Sequence, residues 1–597
     1  MQIAKVVPKV KTLGSGIFDY DIPPEILPQM RCGILVEVPF HGRKIEGIVI
    51  DIKRTSAITN LKKIIRIIDP SPVIDDQHLS LARWMADYYL SSLGQTLFEN
   101  IVPPAIRTIK RQTTTINDRQ KQINKKSRSY LIQADFSHRL KFYLKAINKT
   151  ISFGQSVLIL IPDLNLIGYF TKNLKNPIIL HSKLSKTQRW LAWNKIRSGS
   201  KQIIIGSQSA IFAPIQNLGL IIIDQAEDEA YKNDRSPSFS AVTTAEKLAK
   251  IFGANLILGS LNHNIETFFW AKQNKYEILK NKFLKPNISI VDTKSEKNII
   301  STTLVSEIEK SISKKEKIIL VLDRKGEGNS LTCVDCGWIQ TCEKCNLPLK
   351  PENTKAICRN CHRTYDLKIK CPACQGFNLK KFGWGTKKLL KIARELWPNE
   401  KIINLQKDGD KLSDDFSIAI ATSYALKLPL PKIGLIGIID SDAYVFLPDF
   451  RSAERYFLNF FKFLKISTSG IIQTKNPEHY FVKALAKLDY IVYYQAELKV
   501  RCEGYFPPYS HLINLIYQNI DEAFCQKETE KLVEQLKKIK NQNLKILGPA
   551  PAFLRKKRNL YRWQIIIKLT LPRPKELDEL LKKQKNWKID VDPLDLI

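Results

Sequence analysis

No run of apolar residues approaches the ~20 needed to cross a bilayer, and the start, MQIAKVVPKV, lacks the positive-then-apolar layout of a secretory signal. These absences lead to the expectation of a cytoplasmic protein with no membrane partner. The tripeptides G-K-S and G-K-T occur nowhere, so no phosphate loop of the G-x-x-x-x-G-K-[ST] type can be written. Acidic residues are scarce, 58 against 94 Lys and Arg, leaving a formal charge of +36. Such an excess suits a polyanion, because each neutralised phosphate releases a condensed counterion. Codon bias in an AT-rich genome would also enrich the Lys, Ile and Asn seen here. Cysteine is sparse outside one window, where Cys32, Cys502 and Cys525 stand alone and read as buried, unreactive thiols.

Within that window cysteine is dense. Cys333/Cys336, Cys342/Cys345, Cys358/Cys361 and Cys371/Cys374 form four C-x-x-C pairs. That is metal spacing rather than a disulfide framework. Two pairs complete a tetrahedron around Zn²⁺, so eight thiolates predict two zinc ions in closed, structural sites. The gap between the second and third pairs suits a ribbon closing on itself, with the inner pairs sharing one ion and the outer pairs the other. A sequential arrangement is the alternative. His362, beside Cys361, reads as a surface residue.

Residues 1–70 alternate apolar runs with turns (ILVEVPF, HGRK, IEGIVIDI), the pattern of a β-rich domain. Residues 75–100 have helical period, and the polar, basic stretch 105–129 reads as a linker. Beyond it, short strands apolar on both faces alternate with helices: SVLILIP, QIIIGS, LGLIIID and NLILGS. That predicts parallel sheets covered on both sides. A second series starts at KIILVLD, is interrupted by the cysteines, and resumes at KIINL, SIAIAT and IGLIGIID; an α+β end follows.

In this order the chain resembles the bacterial primosomal replication-restart helicase family, primosomal protein N′ (PriA), along nearly its whole length. The stretches that carry the likeness include IFDYDIPPEI at 17–26, LARWMADYYLSSLG at 81–94 and GSQSAIFAPIQNLGLIIID at 206–224. LTCVDCGWIQTCEKC at 331–345, DSDAYVFLPDFRSAERYF at 440–457 and GYFPPYSHL at 504–512 continue it. The resemblance implies a multidomain α/β protein with two RecA-like helicase lobes, an inserted two-zinc ribbon, a β-rich N-terminal domain and an α+β C-terminal domain. The expected divisions are a DNA 3′-end-binding-like domain at 1–104, the linker 105–129 in place of a winged helix, and lobe 1 at 130–300. Lobe 2 is expected at 301–332 and 376–482, the zinc module at 333–375 and the C-terminal domain at 483–597. The resemblance also supports nested zinc pairing.

Helicases of this family hydrolyse ATP between their lobes, and here the motifs depart from that pattern. Where the phosphate loop belongs stands QADFSHRL, with Arg139 in the position of the Lys and Leu140 in that of the Mg²⁺-binding hydroxyl. D-E-E-H becomes Asp224-Gln225-Ala226-Glu227, G-S-A-T-P becomes GSLNH at 259–263, and G-T-Q-M becomes Ala421-Thr422-Ser423-Tyr424. The late arginine motif is missing, so the residues argue against ATP–Mg²⁺ as a cofactor and name no catalytic residue. By resemblance, Phe18 and Tyr20 would wall or stack in a pocket for a DNA 3′ end, Asp19 would meet its hydroxyl, and Gly33 would allow close approach. Ordinary core aromatics are the alternative. Lys62 and Lys63 suit phosphates or solvent equally, and Arg555–Trp563 interleaves basic and aromatic residues as a single-strand surface or a basic hairpin. Arg451 and Arg455 read as structural partners of Asp449 and Glu454.

The reading is a DNA-binding protein for branched or 3′-ended DNA at stalled forks, acting in replication restart without unwinding. Its expected partners are forked or single-stranded DNA and, by resemblance, a replicative helicase, a helicase loader and single-strand-binding protein. The rival readings are an active ATP-dependent 3′→5′ helicase with divergent motifs, and a zinc-ribbon protein acting on RNA.

Overall fold

Why the first seventy residues form a sheet is visible in their burial. Ile3–Pro8 (β1) pairs antiparallel with Phe18–Asp21 (β2) and, through a bulge at Lys5/Val6, with Arg43–Lys53 (β4). Leu35–Phe40 (β3) joins β4 to Arg66–Asp69 (β5), giving the order β2-β1-β4-β3-β5. Val6, Val36, Val38 and Val49 face one core beneath it. The helix Asp76–Tyr88 follows, capped by the Asp75 side chain.

In the computed structural model, residues 2–596 are described except 11–15, 56, 57, 59, 103–126, 200, 201, 282–284, 297, 324–329, 334, 335, 337, 344–347, 353, 359–362, 383, 384, 407–409, 411, 413, 414 and 443–448. The chain divides into one unit of residues 1–282 with 570–592 and another of 283–569 with 593–597. The expected linker lies outside the described residues as far as 126. Among the described residues no helix is long and apolar enough to cross a membrane.

The first unit continues with a seven-stranded parallel sheet. Its strands are Ser129–Gln133 (β6), Ser156–Leu160 (β7), Ile178–Leu180 (β8), Ile203–Gly206 (β9), Leu218–Asp224 (β10), Asn255–Ser260 (β11) and Glu277–Lys280 (β12). The order β12-β6-β11-β10-β7-β9-β8 puts β10 and β7 inside, and every residue of those two strands is buried. Both faces are therefore covered, as their unbroken apolar sequences require. The helix Phe136–Ser152 leaves the carboxyl end of β6, so it starts beside the ends of β11 and β10.

The second unit holds a six-stranded parallel sheet, order β13-β23-β22-β14-β21-β20. It consists of Asn287–Asp292 (β13), Ile318–Val321 (β14), Ile402–Leu405 (β20), Ile418–Ala421 (β21), Ile433–Ile438 (β22) and Ser467–Thr474 (β23). The expected end of lobe 1 at 300 is thereby corrected. β13 pairs along its length with β23, and a short half-exposed strand carries no local sign of the sheet it will join. The cysteine ribbon uses Ser330–Cys333 (β15) paired with Leu379–Phe382 (β19), and Lys350–Glu352 (β16), Lys355–Ile357 (β17) and Thr364–Asp366 (β18) in a small sheet. Its stem thus lies outside the expected limits 333–375, because backbone pairing starts before the first ligand and ends after the last. Towards the end, His511–Asn519 (β24), Lys545–Lys557 (β25) and Leu560–Leu569 (β26) pair antiparallel in the order β25-β26-β24, with the helix Glu522–Lys537 against them.

Candidate functional site

In an open parallel sheet, ligands sit beyond the carboxyl ends of the strands, here where β6, β11 and β10 lie side by side. That position is filled by the chain itself. Asp224, at the end of β10, is fully buried; its Oδ1 accepts from Arg139 Nε at 2.7 Å and from the Tyr143 hydroxyl at 2.8 Å. Oδ2 accepts from Arg139 Nη2 at 3.2 Å, and Arg139 Nη1 donates to the Ala134 carbonyl at 2.7 Å. Burial opposes the Arg139 charge, but the Asp224 carboxylate outweighs it and holds the guanidinium protonated. Tyr143 is pushed up by burial and by the same carboxylate, so it stays a donor. A Cβ on Gly259 would lie 1.6 Å from the Tyr143 oxygen, so only glycine admits this arrangement at the end of β11.

The helix start beside it is also taken. A helix N-terminus attracts phosphate through free N–H groups and the helix dipole. Here Asp135 caps it, its Oδ1 accepting from the His138 backbone N–H at 3.0 Å. Burial raises the Asp135 pKa, yet the His138 and Ser137 donors draw it down to about 2. Leu140 packs on the lobe core with Phe136 and offers no oxygen. His263, buried and lowered to about 4 by desolvation, places Nε2 3.1 Å from the Ile132 carbonyl. Arg139 and Leu140 were singled out by sequence for what they cannot do. The pairing of Arg139 with Asp224 was not anticipated, although a basic residue after β6 and an acid ending β10 is the signal that contains it.

The outer cysteine pairs converge. Sγ atoms of Cys333, Cys336, Cys371 and Cys374 all lie within 4.8 Å of one another, with Cys333–Cys374 at 3.5 Å and Cys336–Cys371 at 3.6 Å. A tetrahedron with metal–sulfur bonds of ~2.3 Å has edges of about 3.8 Å, so the four thiols fit a zinc ion. Three of the four first cysteines make the same turn bond: the backbone N–H of Cys333 donates to Trp338 O, that of Cys358 to Arg363 O and that of Cys371 to Gly376 O. Burial raises the Cys371 pKa, but the backbone N–H groups of Cys374 and Ala373 overcome this and draw it to about 7. Of the inner pairs, Cys342 and Cys358 are buried in one cluster with Leu349 and Ala356, and the Cys342 sulfur lies 3.1 Å from the Tyr365 hydroxyl. Cys345, Cys361 and His362 lie outside the described residues.

The N-terminal residues separate by depth. Phe18 is half-buried on β2, edge-on to Phe40 at 5.1 Å, and Asp19 is half-buried opposite Lys5. Tyr20 is in the core, with its hydroxyl 3.2 Å from the Pro39 carbonyl, so its ring offers no exposed face for stacking. Gly33 has φ +84°, and a Cβ there would come 2.1 Å from Ile74 O; the close approach it permits is to its own chain. Lys62 and Lys63 are exposed, and the backbone around them pairs with Asp21. Arg555 grips Glu522 with two bonds of 2.7 Å, and Trp563 Nε1 reaches the same carboxylate at 3.4 Å. Arg451 pairs with Glu454 at 3.5 Å and Arg455 with Asp449 at 3.6 Å. Of the isolated cysteines only Cys525 is buried; Cys32 and Cys502 are exposed, correcting the expectation for those two.

Two family models match: a 3′DNA-binding domain over residues 5–102 and a primosomal protein N C-terminal domain over 503–594. The replication restart protein PriA of Borreliella burgdorferi is 28% identical, covering 85% of this chain and 84% of its own. That of Treponema pallidum is 27% identical over 90% of each, and that of Bacillus subtilis is 28% identical over 75% of this chain and 60% of its own. A DNA-bound DUF1998 helicase, MrfA, is 11% identical over 60% of this chain and 48% of its own, with TM-score 0.34. Relatives aligned along most of the length, with a matching family model at either end, support a member of the replication restart protein PriA family.

Proposed function

We propose that this chain recognises branched or 3′-ended DNA at stalled replication forks in replication restart, and does so without ATP-driven unwinding. The observation that carries the second half is the buried Arg139–Asp224–Tyr143 cluster. Mg²⁺ at Asp224 would have to displace a bidentate guanidinium and a phenol, and phosphate at the helix start would face the Asp135 carboxylate. Gln225 stands where the carboxylate that orients the attacking water belongs, so the reaction also lacks its base. The first half rests on the match of residues 5–102 to a 3′DNA-binding domain and on the +36 charge. Within that domain, Phe18 and Asp19 are the residues of the proposed end pocket, with Tyr20 and Gly33 shaping it from behind.

Zinc at Cys333, Cys336, Cys371 and Cys374 would supply folding energy, since four thiolates leave no open position. A second ion would take Cys342, Cys345, Cys358 and Cys361. The replicative helicase, its loader and single-strand-binding protein are the proposed protein partners, and the cytoplasm the proposed location. Competition binding tests the DNA half: a fork with a 3′ end at the branch is expected to outcompete plain duplex and structured RNA. A preference for RNA, or equal affinity for all three, would overturn it.

A further inference from the structure

Two of the most exposed large apolar side chains lie on one knuckle of the cysteine ribbon. Ile369 is 83% exposed and Phe377 is 71% exposed, and they flank the Cys371–Cys374 pair. Their backbone is held in place. Cys371 N–H donates to Gly376 O at 2.8 Å, Gln375 N–H to Cys371 O at 2.9 Å, and Leu379 N–H to Phe377 O at 2.8 Å. Lys370 is exposed and places Nζ 5.6 Å from the centre of the Phe377 ring, and Lys368 is exposed one step along. From Leu367 to Phe382 the sequence carries Lys368, Lys370, Lys380 and Lys381 and no acidic residue.

A fixed apolar ring in water is unfavourable unless something covers it, and the surrounding charge selects the cover. Lysines without a carboxylate among them suit a phosphate backbone. One aromatic face with a cation beside it suits a base that is not already paired. Duplex DNA keeps its bases inside the stack and would meet only the lysines. We propose that Phe377, with Lys370 beside it, is a stacking platform for an unpaired base of single-stranded DNA whose phosphates run along Lys368 and Lys370. The proposal rests on the reading that this chain binds DNA, and it gives the metal a role: the Cys371–Cys374 knuckle fixes the direction of the ring.

The test is fluorescence anisotropy with the full zinc-loaded chain and three probes: an oligothymidine, an abasic strand of equal length and a blunt duplex. Phe377→Ala should weaken oligothymidine binding about fivefold or more, the scale of one lost base–aromatic stack, and leave the abasic strand and duplex nearly unchanged. Phe377→Trp should retain the affinity, and Lys370→Gln should make the salt dependence shallower by about 0.7 in log–log slope. Equal zinc content in all variants shows that the ribbon is intact. Wild-type affinity of Phe377→Ala for oligothymidine, or an equal loss on all three probes, would overturn the platform while leaving DNA binding in place. A wild-type chain that binds none of the probes would overturn both.

Discussion

Burying Arg139 strips a guanidinium of water, and the cost is offset by two acceptors and a ring: Asp224, the Ala134 carbonyl and, 5.7 Å away, the Phe136 ring. Removing one partner leaves the other charged and unpaired. Arg139→Met is expected to destabilise the first unit by about 3–5 kcal/mol in urea titrations. Arg139→Met combined with Asp224→Asn should cost less than the sum of the two single changes; simple additivity would mean the pair is not coupled. His78 gives a second residue-scale prediction. Its Nδ1 lies 2.8 Å from Asp75 Oδ1 and its Nε2 2.9 Å from Ala213 O, so both nitrogens face acceptors and the ring donates at each. Burial alone would discharge it, but Asp75 and these bonds outweigh burial and raise its pKa above 6.5. The stability it contributes is therefore complete below pH 6.5 and lost as pH climbs through the raised folded value. Asp75, lowered despite burial by the same contact, contributes above 3.8 and loses that contribution as pH falls through its depressed value. Melting temperatures of wild type and His78→Gln should converge as pH rises through the raised His78 value; a constant difference would count against the charged ring.

At the scale of elements, the cysteine ribbon depends on its metal in a way the sheets do not. Among its described residues the ribbon buries only a small set of apolar side chains, chiefly Leu331, Leu349 and Ala356 with Cys333, Cys342, Cys358 and Cys371, whereas lobe strands such as β10 are apolar throughout. Chelation at neutral pH should therefore release the amide protection of residues 330–382 and leave β7 and β10 protected, as hydrogen exchange would read out. Loss of protection throughout the chain would show instead that the ribbon is part of one cooperative core. The same contrast explains what was legible in the sequence. Unbroken apolar strands and C-x-x-C pairs announce themselves locally, so both parallel sheets and the ligand spacing could be read from residue order. β13 could not be assigned, because its pattern is half-exposed and its partner β23 lies far away in sequence. Tyr20 and Gly33 looked like ligand-facing residues by resemblance, yet their depth is decided by β3 and by Ile74, which pattern alone does not bring near.

Across the whole molecule, a basic chain carries both matched end domains, while the carboxyl ends of β6, β11 and β10 are occupied by its own side chains. The loss of motifs could be read from the sequence as a set of missing groups. What replaces them could not, because Arg139 and Asp224 meet only when β6 and β10 are placed on either side of β11. The excess of 94 basic over 58 acidic residues belongs to this scale too. Fork affinity should fall steeply between about 50 and 200 mM salt if several phosphates are contacted, and a flat response would contradict an electrostatic role for the charge. The central claim is that the closed site does not turn over. The most direct measurement is steady-state ATP hydrolysis by the zinc-loaded chain with forked DNA, alongside Asp224→Ala. The account predicts no DNA-stimulated hydrolysis in either protein; turnover in the wild type that Asp224→Ala abolishes would contradict it.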